Sequence, residues 1–127
     1  LKNDQLNDPL LTLERIKLLK IINNEELEVI KQLTLQVNFI LKNLFYEIKL
    51  DLVDFKLEFG RNFNGELVLA DEFSPDNCRL WDLNGNDDNI KSLDKDRFRN
   101  DLGDLIEAYS EINTRIENFI KFPKKIC

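Results

Sequence analysis

Asp54, Lys56 and Glu58 alternate with apolar residues in LVDFKLEFG, and Asp71 follows after an Asn64-Gly65 pair. On a strand this alternation sends Asp54, Lys56 and Glu58 to one face and Val53, Phe55, Leu57 and Phe59 to the other, which is expected to meet the core. Asn-Gly favours a two-residue type I′ hairpin turn. With those residues at the turn, Phe63 pairs with Glu66 and Glu58 stands opposite Asp71. A four-residue loop would move the partner of Glu58 to Leu69 yet leave Asp71 on the same face. Opposed carboxylates repel unless a cation separates them. Their oxygens suit Mg²⁺, which takes one or two protein carboxylates and completes its shell with water and phosphate oxygens. Glu58 and Asp71 are therefore candidate metal ligands, and Lys56 a candidate partner for a further anion or a carboxylate. A solvated strand face carrying mixed charge is the simpler alternative.

Beyond this face, Ser74, Asp76 and Arg79 cluster in DEFSPDNCRLWD. Arginine binds phosphate or carboxylate through two parallel N–H groups, and a serine hydroxyl can donate to the same anion. An Asx-turn beside an ordinary surface arginine explains the same residues. DLNGNDDN, from Asp82, has the oxygen-rich look of a calcium loop. Its Gly85 is at the fourth position rather than the sixth, however, and Leu93 stands where the bidentate glutamate belongs. No phosphate-loop or dinucleotide-binding glycine pattern is found within these residues.

The sequence contains no histidine, which removes histidine-dependent triads, histidine-ligated zinc and imidazole acid–base catalysis from this chain. Chemistry must run on carboxylates, lysine, arginine and backbone groups. A net charge of −6 over 127 residues argues against a nucleic-acid surface. No run of 18 apolar residues and no signal-peptide pattern occurs, so no membrane partner is expected. Cys78 and Cys127 form no metal spacing and no disulfide framework; either can be a free thiol, which fits a reducing cytoplasm. The chain lacks methionine and opens at Leu1 inside patterned sequence, so it is expected to be a piece of a longer protein.

The elements that must position these residues read as α+β, within the length of one domain or a piece of one. TLERIKLLK, after Pro9, predicts a short helix. Asn23 with Glu26 resembles a capping box, and Leu27, Ile30, Leu33, Val37, Ile40, Leu41 and Leu44 recur at helical spacing, predicting a helix from about Asn24 to about Glu47. Residues 50–60 and ELVLADEF predict a β-hairpin. Pro75 ends regular pairing, and SPDNCRLWDLNGNDDN reads as a functional or connecting loop. Asp94 as a cap and the apolar spacing from Phe98 to Phe119 predict a long amphipathic helix ending before Pro123.

Taken in order, LKNDQLNDP, LVDFKLEFG, LADEFSPDNCRLWD and DKDRFRNDLGDLIEAYSEI closely resemble the phosphoribosylaminoimidazole-succinocarboxamide synthases, or SAICAR synthetases, over essentially the whole chain. DFKLEFG followed by DEFSPD is specific to that family. The resemblance implies the C-terminal portion of an ATP-grasp-like enzyme, with an antiparallel hairpin or sheet packed by two long amphipathic helices. The N-terminal lobe, bearing the loop over the ATP phosphates, would lie outside this chain. It implies an ATP- and Mg²⁺-dependent ligase that joins L-aspartate to the carboxylate of carboxyaminoimidazole ribonucleotide (CAIR), in the cytoplasm and as a homo-oligomer.

By motif position, the resemblance implies catalytic roles for Lys56 and Asp54 near the reacting CAIR carboxylate. Lys2, Glu58 and Asp71 would bind nucleotide, the last two through the metal. Arg79 and Ser74 would bind anionic CAIR or aspartate groups, and Asp76 and Asp8 match motif aspartates on the substrate side, although helix or turn capping also accounts for Asp8 and Asp76. A non-catalytic acidic module that binds divalent cations or a protein is the competing reading, and a kinase-like phosphotransferase is a third.

Overall fold

The computed structural model describes residues 5, 7, 9–84, 92–93 and 105–121. Its elements are α1 (Leu13–Leu18), α2 (Asn24–Glu47), β1 (Leu50–Phe55), β2 (Glu58–Arg61), β3 (Leu67–Ala70), β4 (Cys78–Asp82) and α3 (Leu105–Lys121). The chain divides into two compact units, Leu1–Leu35 and Gln36–Cys127.

In the first unit, α1 is capped by Thr12, whose hydroxyl accepts from the Arg15 amide at 3.3 Å. The predicted capping box opens α2: the Glu26 amide donates to Asn23 Oδ1 at 2.7 Å, and the Asn23 amide donates to Glu26 Oε2 at 3.1 Å. These bonds serve backbone donors that the first helical turn leaves without a partner.

The second unit holds a core built from Phe45 and Ile48 at the end of α2, Leu50 and Leu52 of β1, Cys78 and Leu80 of β4, Leu93, and Ala108 and Ile112 of α3. The predicted apolar stripe of α2 is only partly used. Leu41 and Leu44 pack against the core, whereas Ile40 is 60% exposed. Phe73 extends the core outward, its ring 6.0 Å from those of Phe45 and Phe55.

Three strand expectations are corrected. Residues 50–60 are two strands belonging to two sheets, one pairing β1 with β4 and one pairing β2 with β3, both antiparallel. CRLWD is a strand and not a loop. Cys78 and Leu80 are buried while Arg79 and Trp81 are exposed, a period-two pattern too short to stand out among polar neighbours. Finally, β1 carries a bulge at Val53, since Leu52 pairs with Leu80 and Asp54 with Arg79. The extra residue is left unpaired, so Leu50 and Leu52 face the core and Val53 does not.

The β2–β3 turn also differs from the two-residue form. Glu58 pairs with Ala70 and Arg61 with Leu67, which makes Phe63, Asn64 and Gly65 a three-residue loop. Asn62 closes it: Oδ1 accepts from the amides of Asn64 and Glu66, both at 3.0 Å, and Nδ2 donates to Glu66 Oε2 at 2.7 Å. Gly65 takes φ +80, the left-handed residue that a three-residue hairpin loop needs. The expected long C-terminal helix is present as α3. Its predicted cap, Asp94, and the segment through residue 104 lie outside the described residues.

Candidate functional site

The point where β1 hands over to β2 gathers charge. Asp54 and Arg79 pair across β1 and β4, and the guanidinium grips the carboxylate through two nitrogens, with Nε donating to Oδ1 at 2.9 Å and Nη2 to Oδ2. Two residues on, the Lys56 ammonium donates to Glu58 Oε1 at 2.7 Å. The Lys56 amide donates to the Asn77 carbonyl at 2.8 Å, which ties this junction to the loop leading into β4.

These pairs are solvent-facing. Side-chain exposure is 46% for Arg79 and 51% for Asp54, and 61% for Lys56 and 26% for Glu58. Exposed pairs contribute roughly 0–1 kcal/mol each, so either can open at little cost when a better anion or cation arrives. Asp54 with Arg79, across the strands, and Lys56 with Glu58, along the chain, are thus two pairs of mutually neutralised cations and carboxylates.

The pleat argument linking Glu58 to Asp71 fails. The three-residue loop places Glu58 opposite Ala70, and on a regular ladder the next residue would face the other way. Asp71 instead leaves the ladder with φ +71, a conformation that aspartate tolerates better than most residues. What remains is proximity along the ladder, because Glu58–Ala70 is the terminal pair and Asp71 is the next residue. Among the described residues no three or more Cys, Asp or Glu side chains are grouped to hold a metal. The donor set fits Mg²⁺, which needs only one or two carboxylates, and does not fit a closed cage of protein ligands.

The segment from Glu72 to Asn77 is a hydrogen-bonded turn, as the Asx-turn alternative required. The Ser74 amide donates to Asn77 Oδ1 at 3.1 Å, the Asn77 amide to the Ser74 carbonyl at 3.0 Å, and the Asp76 amide to Ser74 Oγ at 3.3 Å. The Ser74 hydroxyl donates to Glu72 Oε1 at 3.2 Å. Cys78 is a buried free thiol whose Sγ lies 3.3 Å from the Ser74 carbonyl oxygen. Lys2 and Asp8 lie outside the described residues.

Sequence reasoning missed Tyr109, which was counted only as an apolar position of the last helix. Its hydroxyl donates to Asp76 Oδ1 at 2.6 Å across 33 residues of chain. It also missed Arg115, which grips Asp82 at 3.0 and 2.8 Å, Glu111 at 2.7 Å and the Lys49 carbonyl at 3.2 Å. The hydrogen bonds from Arg115 hold the Asp82 carboxyl below its usual range despite partial burial, and Asp82 in turn raises the guanidinium. A cavity of about 350 Å³ beside Lys49, Arg115 and Phe119 lies at the β1 end away from Asp54 and touches none of the candidate residues.

The family model described as SAICAR synthetase matches residues 1–116. The chain belongs to the SAICAR synthetase family. It is 71% identical over 120 residues to phosphoribosylaminoimidazole-succinocarboxamide synthase of Prochlorococcus marinus subsp. pastoris MED4, covering 94% of this chain and 50% of that protein. The Streptococcus agalactiae A909 synthase is 49% identical over 116 residues, with 91% and 47% covered.

Among solved structures, a Type-2 SAICAR synthetase in complex with ADP superposes with a TM-score of 0.80 at 51% identity, covering 91% of this chain and 47% of that one. The Pyrococcus horikoshii OT3 SAICAR synthetase gives 0.80 at 49% identity, covering 92% and 49%. The chain therefore spans about half the length of the SAICAR synthetases it matches. Among the described residues no helix is long and apolar enough to cross a membrane.

Proposed function

We propose that this chain is the C-terminal portion of a cytoplasmic, homo-oligomeric SAICAR synthetase, completed by an N-terminal lobe that covers the ATP phosphates. The reading rests on one observation: in a member of this family, the segment that joins β1 to β2 carries two exposed ion pairs, Asp54 with Arg79 and Lys56 with Glu58. The ADP held by a relative of similar fold supports nucleotide use.

The reaction joins CAIR and L-aspartate at the expense of ATP. A CAIR carboxylate oxygen attacks the γ-phosphorus and ADP leaves; the aspartate amine then attacks the acyl carbon, phosphate departs with the acyl oxygen, and the amine loses a proton. The site must hold several anions at once, so positioning and charge compensation account for most of the rate. Glu58 and Asp71 would hold Mg²⁺, whose charge would offset that of the ATP phosphates. Lys2 contributes a second contact to the nucleotide.

Lys56 and Arg79 act by exchanging partners. Each is already held by a carboxylate, Glu58 and Asp54 respectively, in a weak surface pair. Release from Glu58 would leave Lys56 available to the CAIR carboxylate. Asp54 would lie with Lys56 near the CAIR base and its reacting carboxylate, while Arg79 and Ser74 would receive anionic groups of CAIR or aspartate and Asp76 and Asp8 an amine.

Mixing this chain with the portion of the MED4 synthase that it does not span should yield aspartate-dependent ADP release. Lys56→Ala should abolish SAICAR formation and leave the thermal midpoint within about 2 °C, because its ammonium makes only a surface pair. Turnover near the unmutated rate in Lys56→Ala would defeat the assignment. Cation binding indifferent to nucleotide would favour a simple acidic module instead.

A further inference from the structure

We propose that Tyr109 is a positioning residue of the substrate side of this site, acting through Asp76; the inference rests on the functional reading above. Asp76 sits in a tight turn whose internal hydrogen bonds set its shape but not its orientation against the rest of the unit. The Lys56 amide and Cys78 Sγ hold its end through the Asn77 and Ser74 carbonyls, and two side chains, Phe73 and Tyr109, bear on the rest. Phe73 packs its ring against Phe45 and Phe55, which holds the start of the turn by apolar contact. Such contact is non-directional and leaves the carboxylate at the other end of the turn free to swing.

Tyr109 removes that freedom. Its ring packs against the core from α3, and its hydroxyl meets Asp76 Oδ1 at 2.6 Å. A short bond to a carboxylate is directional and stronger than a neutral one. The residue after Asp76 carries the constraint onward: the Asn77 carbonyl accepts the Lys56 amide at 2.8 Å, and Cys78 begins β4, which presents Arg79 to Asp54. One hydroxyl on the last helix therefore fixes the turn whose neighbours include both candidate cations. The nucleotide end of the site, at Glu58 and the β2–β3 ladder, is reached only one step further, through the exposed Lys56–Glu58 pair, which transmits little.

Tyr109→Phe keeps the ring and its packing and deletes only the hydroxyl. In the chain alone, amide exchange at residues 74–79 should accelerate about tenfold, while the β2–β3 hairpin exchanges as before. In the assembly with the complementary portion of the MED4 synthase, KM for CAIR or L-aspartate should rise about tenfold and KM for ATP stay within about twofold. In an Asp76→Ala background, Tyr109→Phe should add nothing further, the mark of a residue that acts through its partner.

Unchanged exchange, equal increases in all the KM values, or additivity with Asp76→Ala would each overturn the proposal. An unmutated assembly that binds ADP yet makes no SAICAR overturns the functional reading by itself, and the exchange comparison still decides whether Tyr109 holds the turn.

Discussion

Arg115 shows how one side chain can organise the base of the unit. It spans Asp82 on β4, Glu111 on its own helix and the carbonyl of Lys49, with side-chain exposure of 17%, and Asp82 is exposed by 18%. Lys49 takes φ +63, and its carbonyl accepts both the Leu83 amide at 3.0 Å and the Arg115 guanidinium. Arg115→Ala would leave a half-buried carboxylate without its main donor. It should lower the unfolding free energy by about 2–3 kcal/mol, read as a shift in the urea midpoint at unchanged slope.

The same pair sets an acid limb. A carboxyl whose folded pKa is depressed adds stability that is complete above its unfolded value, 3.8 for Asp82, and is lost as pH falls through the lower folded value. Stability should therefore decline below about pH 4, and Asp82→Asn should flatten that part of the curve, as followed by thermal melts at stepped pH. Equal slopes in the two proteins would remove Asp82 as the cause.

Among the elements, the helices and the hairpin around Asn64-Gly65 were legible, and the strand partners and registers were not. A capping box and apolar spacing mark both ends of α2 because helix signals are local. Strand partners are chosen by long-range contact, and the alternation in residues 50–60 holds no mark of the change of partner at Lys56 and Leu57. The bulge at Val53 hides similarly, since one unpaired residue alters which side chains face the core without altering composition.

At the turn the dipeptide misled because Asn62 competes for the same amides, converting a two-residue loop into one of three. The candidate site was legible for the same mixed reasons. Lys56 and Glu58 are neighbours in sequence and pair, Asp54 finds Arg79 only through β4, and Glu58 with Asp71 lost its cross-strand basis. The loop makes a prediction of its own. Gly65 at φ +80 has open space where a Cβ would stand, so Gly65→Ala meets no clash and costs only the left-handed conformation. That is about 1–2 kcal/mol, expected as a lower thermal midpoint with intact β4 signals in NMR; an unaltered midpoint would mean the hairpin contributes little to the unit's stability.

For the molecule as a whole, charge sets the terms of binding. A net −6 at pH 7 repels a nucleotide polyanion at long range, and Lys56 and Arg79 are each already paired with a carboxylate. A basic surface would bind ADP by releasing counterions and lose affinity steeply with salt. On the proposed reading the charge of the nucleotide would have to be lowered first, which Mg²⁺ held at Glu58 and Asp71 would do.

ADP affinity should therefore fall at least about tenfold when the divalent cation is removed with a chelator. In the chelated protein, added monovalent salt should not weaken residual binding, because screening relieves repulsion rather than attraction. Isothermal titration of the assembled protein, with and without chelator and over a range of salt, reads both effects. Affinity that survives chelation and drops with salt would mean that basic groups outside this chain carry the nucleotide, and that the carboxylates beside the β2–β3 ladder do not.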